Sequence, residues 1–151
     1  MNNKKSIGVL NTLIQTNTDR INRHTNAANE TSDESLKKLF AEFVDTSKKC
    51  KQELSHEVIS LGGTPRFKDT ITSNAFIRAW IDVEAALGSK DNNPLFSCSE
   101  HGEALVKGNY QKALADSIKR FSPKQRMMVE KQMAMLGTDQ VNVKRMREKL
   151  V

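Results

Sequence analysis

Between "TSDE" and "LGGTP", apolar or small side chains recur at Leu36, Phe40, Phe43, Ser47, Cys50, Leu54, Val58 and Leu61. Steps of three and four belong to one face of an α-helix, so this stretch is committed to one long amphipathic helix. Both ends carry their own signals. At the start, Thr31 and Glu34 are placed for a capping box, with Asp33 as a rival cap. At the finish, "GG" offers the left-handed residue of a C-cap, and Pro65 blocks re-entry.

The same period recurs elsewhere. A first segment, about residues 4 to 30, carries Leu10, Leu13/Ile14, Ile21 and Ala27/Ala28, with Asn17 and His24 in the same seam. A shorter third segment, about 70 to 87, carries Phe76, Trp80, Val83 and Leu87. Asn93-Pro94 opens a fourth, to about Arg120. Ser122-Pro123 opens a fifth, with Val129, Met133, Leu136, Val143 and Leu150. Four of the five are long, about 40 Å each at 1.5 Å per residue. The link of about 30 residues between the second and fourth segments lets those two run parallel, the single-crossover arrangement of ferritin-like bundles. The expected fold is therefore all-α: a ferritin-like four-helix bundle, with a short extra helix in the crossover, forming a single domain over residues 1–151.

Composition agrees with this. Aromatic residues make up only 5% of the chain, while there are six Met, a profile of aliphatic helix packing. Cys50 and Cys98 form no CxxC pair, so neither a structural zinc site nor a disulfide framework is expected. The N-terminus lacks a signal-peptide core, and no apolar run approaches ~18 residues, which points to a cytoplasmic chain with no membrane partner. The net charge is +6, and residues 122–151 carry 7 basic and 3 acidic side chains. That segment reads as a solvated basic face, and nucleic acid is not the expected partner.

The candidate chemistry lies in "ELSH", where Glu53 precedes His56 by three residues on one helix face. A di-iron bundle takes one Glu from each of two helices and a Glu-x-x-His from each of the other two. Carboxylates suit hard ions, and imidazoles fix the geometry. Glu100 and Glu103 share a face of the fourth segment, with Tyr110 two turns beyond Glu103. On the fifth, Glu130 is followed at the His position by Met133. The first segment offers only Asp19 near its centre, flanked by Arg20 and Arg23, and a cation beside a dication site is unfavourable unless it points away. Two readings follow for Glu53, His56, Glu100, Glu103 and Glu130. They either hold iron or another divalent metal, or form helix-surface pairs or one buried hydrogen-bonded network that needs no cofactor. Gly102 in mid-helix costs about 1 kcal/mol against Ala, which a close approach of a neighbouring helix would offset.

The stretches "SIGVLNTLIQT", "AANETSDESLKKLF", "ELSHEVISLGGTP", "RAWIDVEAAL", "EHGEALVKGNYQKAL" and "MMVEKQ" resemble, in order and over nearly the whole chain, a bacterial family of ferritin-like four-helix bundles of unknown function. The resemblance implies a cytosolic, often stress-associated protein with no activity to transfer. Against the family's Asp-Gly-x-x-Gly-aromatic pattern, "DRINRH" keeps Asp19 but has Arg20 and Arg23 in place of the two glycines and His24 in place of the aromatic. His56 also departs from the pattern while Glu53 fits it, and Asp139 stands where a His is common. No catalytic nucleophile, phosphate loop or dinucleotide fingerprint is present. The function expected is structural or interactive, with a protein partner or self-association, a dimer included. The alternative is a metal-binding protein with iron-handling or oxidase activity.

Overall fold

The computed structural model describes residues 3–68, 93–115 and 121–149. Within them the chain is all-helical: α1 (Asn3–Glu30), α2 (Glu34–Ser60), α3 (Asn93–Ala115) and α4 (Pro123–Lys149), with no strand among the described residues. The short helix expected over about 70 to 87, with Trp80, lies outside the described residues, as do residues 116–120 and Leu150.

Helix ends follow local chemistry. Of the two candidate caps of α2, Asp33 is the one used: its Oδ1 accepts from the N–H of Ser35 at 2.9 Å and of Leu36 at 3.2 Å. Thr31 Oγ1 instead accepts from the Asp33 N–H. At the C-terminus Gly62 adopts φ 84°, and the N–H groups of Gly63 and Gly62 donate to Val58 and Ile59 carbonyls, both at 2.9 Å. This is a Schellman closure, and only a residue without Cβ takes that backbone conformation cheaply. Ser122 and Gln125 form a reciprocal capping box before α4, each side chain accepting from the other's N–H.

Cross-helix contacts fix the directions. Arg20 meets Phe43 and Ser47, and Gly63 sits against Ile7, so α1 and α2 are antiparallel. His24 meets Ser99, Arg20 meets Glu103 and Asn17 meets Tyr110, so α3 is antiparallel to α1 and runs parallel to α2. Gln125 reaches Glu57 and Gln132 reaches Cys50, so α4 is antiparallel to α2. After α2, residues 64–68 lie as a strap along α1. The Asn11 amide accepts from Arg66 N–H at 2.8 Å and donates to Thr64 O at 3.3 Å, while Gln15 pairs with both the N–H and C=O of Lys68. Two side chains one helical turn apart thus supply what a neighbouring strand would supply to the strap's backbone.

The apolar interior comes in two parts. One gathers Leu10, Leu13, Leu54, Val58, Val106 and Val129; the other gathers Ala27, Leu36, Phe40, Phe43 and Val143. Ile21, expected in the seam of α1, is only half-buried, and its neighbour Arg20 is fully buried instead. A layer of polar groups lies between the two apolar clusters.

Candidate functional site

That layer takes contributions from each of the four described helices. From α1, Arg20 Nε donates to Glu103 Oε1 on α3 at 2.7 Å. Its Nη1 donates to the Phe43 carbonyl at 2.7 Å and to Ser47 Oγ at 2.9 Å, both on α2. Its Nη2 donates to Asp139 Oδ2 on α4 at 3.0 Å. The guanidinium also lies 4.9 Å from the centroid of the Phe43 ring. A charge moved from water into a protein interior carries a penalty of several kcal/mol, which paired and hydrogen-bonded surroundings can repay. Arg20 has both: two carboxylates, a hydroxyl and a carbonyl, held in fixed directions by its planar fork.

Arg23, one turn on, lies 3.7 Å from the same Glu103 oxygen. Its guanidinium fills the space over Gly102, where a Cβ would run into Nε and Cζ. The compensation for a mid-helix glycine is therefore a close side chain rather than a close backbone. His24 lies at the lower edge of the layer, fully buried between Phe40 and Phe43. Its Nδ1 faces the Arg20 carbonyl at 3.0 Å, and a carbonyl only accepts, so Nδ1 carries the proton. Nε2 is then free to accept from the Ser99 hydroxyl at 2.9 Å. Burial, then the charges of Arg23 and Arg20, hold this imidazole well below its ordinary pKa and hence neutral.

A second polar layer lies above the first. Asn17 Nδ2 donates to Tyr110 Oη at 2.8 Å, Tyr110 donates to Gln132 Oε1 at 2.8 Å, and Gln132 Nε2 donates to the Cys50 carbonyl and to Glu53 Oε1, both at 3.3 Å. The chain of donors crosses the bundle and ends on Glu53. Burial pushes the Tyr110 hydroxyl upward, so it stays protonated. Burial and the nearby Glu53 charge push the Cys50 thiol up to about 12, so it is an inert buried group and not a nucleophile.

The sequence-derived candidates are thus dispersed. Glu103 is the core carboxylate of the Arg20 layer, while Glu53 is half-buried at the end of the Gln132 chain. His56 is exposed and lines, with Glu53 and Glu57, a groove between α2 and α4. Glu100 is half-buried. Glu130 is exposed and pairs with Arg126 at 3.2 Å. Among the described residues, no group of three or more His, Cys, Asp or Glu side chains is placed to hold a metal ion. Arg20, Asp139, Ser47 and Gln132 were not candidates from sequence, yet they build the centre. Their signal is position: in α1, residues 10, 13, 17, 20, 24 and 27 keep steps of three and four, and so do 129, 132, 136, 139 and 143 in α4.

All-helical architecture with a layered polar core defines the class. The chain belongs to the family described as a domain of unknown function (DUF2383), whose model matches residues 5–116. The match covers α1, α2 and α3; Gln132 and Asp139 come from α4, beyond it. No curated protein matches the chain. Among the described residues no helix is long and apolar enough to cross a membrane.

Proposed function

We propose that this chain is a ferritin-like bundle that works by binding or interaction, without catalysis, and that a guanidinium holds its centre where related architectures place metal ions. The observation that carries this is Arg20, fully buried, with Glu103 and Asp139 as its ion-pair partners. A di-metal centre needs those inward carboxylates for itself, and a fixed cation among them opposes a dication. The residues present therefore do not fit a di-iron group. The parallel run of α2 and α3, and the strap that leaves α2 along α1, support the crossover topology.

Metal stoichiometry tests the reading. The chain is purified without chelator, loaded with Fe(II), Mn(II) or Zn(II), desalted, and its bound ions counted by elemental analysis. The expected result is no tightly held pair; near two ions per chain overturns the proposal. A second reading rests on Glu53 and His56, which share a groove with Glu57. It is a single weak divalent site with only Glu53 and His56 as protein ligands, in the groove between α2 and α4, expected to hold at most one ion and to lose it in His56→Ala.

A further inference from the structure

Between α3 and α4 lies a groove of about 350 Å³. Val106, Met133, Leu136 and Val141 give it apolar walls, and Glu103 lines it although that residue is only 2% exposed. The contacts of Glu103 with Arg20, Arg23 and His24 all use Oε1. No hydrogen bond among the described residues uses its other oxygen, Oε2. A nearly buried carboxylate with unused acceptor capacity on one oxygen thus lines an apolar groove. The volume is at the lower end of the ~300–1,000 Å³ typical of small-molecule sites, and apolar walls with one fixed polar group are their usual make-up.

We infer that this groove binds a small neutral amphiphile, an apolar body carrying one hydroxyl or N–H donor, with the donor on Glu103 Oε2. The charge around the oxygen selects the head group. An anionic head would set carboxylate against carboxylate in a largely dry site. A cationic head gains little, because Arg20 and Arg23 already balance Glu103 on one side, and Lys107 adds another positive charge at the groove. A neutral donor satisfies Oε2 without adding a buried charge. The inference rests on Glu103 being the partner of Arg20 and not of a metal ion, so its test uses chelator-treated, metal-free protein. Its failure is then read separately from that of the metal measurement.

The probes are 1-octanol and octanoate, which share a body and differ in head group, titrated by calorimetry and ligand-observed NMR. Gly137→Leu supplies the control. Gly137 lines the groove, and a Cβ added there meets nothing within 4 Å, so the larger side chain enters the groove and the helix loses a glycine. The expected result is saturable binding of one octanol per chain, octanoate at least tenfold weaker, and octanol binding at least tenfold weaker in a Gly137→Leu variant that melts no lower than the parent. Equal binding of the two probes, absence of saturable octanol binding, or full binding in Gly137→Leu overturns the inference. So does a dimer in sedimentation that Gly137→Leu dissociates, because a second copy then covers the groove.

Discussion

Arg20 and His24 show how one helical turn can carry an ion-paired cation beside an imidazole kept neutral. The His24 ring is enclosed by Phe40, Phe43 and the Arg20 carbonyl, and both of its nitrogens are used in the neutral tautomer. Its folded pKa lies below the ordinary value of 6.5, so below that pH the unfolded chain takes up a proton that the folded chain refuses. Stability contributed by His24 is thus complete above about pH 6.5 and is lost as the pH falls, with a limiting slope of about 1.4 kcal/mol per pH unit. Urea midpoints measured from pH 7.5 to 5 should show this decline, and His24→Gln should flatten it. An unchanged slope in that variant would assign the decline to other groups.

At the scale of elements, the strap after α2 depends on two amides of α1 rather than on apolar burial. Phe67 is 45% exposed, with the Lys51 ammonium over its ring. Asn11 and Gln15 instead hold the backbone of residues 64, 66 and 68. A net hydrogen bond contributes about 0.5–1.5 kcal/mol, so removing both side chains should release the strap and leave the helices intact. In Asn11→Ala/Gln15→Ala, the Arg66 and Lys68 amides should exchange at least tenfold faster, with no change at Leu54. Equal protection in parent and variant would mean that other contacts hold the strap. Nothing in the strap's own sequence reveals this, because the pairing groups lie more than fifty residues away.

For the whole molecule, the polar layer between two apolar clusters ties the four described helices to one guanidinium. Removing Arg20 alone leaves Glu103 and Asp139 facing each other's charge in the interior, and breaking a buried pair in this way costs about 3–5 kcal/mol. Arg20→Met should lower stability by that amount in urea titration. Arg20→Met/Glu103→Gln/Asp139→Leu, which neutralises the layer, should recover at least half of the loss. A triple variant no more stable than the single one would show that the layer contributes through shape and not through charge balance.

For the four described helices, existence and termini were legible because they are local. A 3-4 stripe, an Asp or Ser before the first turn and a Gly-Gly after the last act within a few residues, so Leu36 to Leu61 and Ser122-Pro123 could be read directly. The parallel run of α2 and α3 was legible from the length of the link between them. The centre was not. By sequence the α1 seam takes Ile21 because it is apolar, and Arg20 enters only as a cation flanking Asp19 that is unfavourable beside a dication site. Only the tertiary structure brings Glu103 and Asp139, 83 and 119 residues away, to the guanidinium. Whether a charge can be buried depends on what meets it, and that is decided by how the four helices are set against one another.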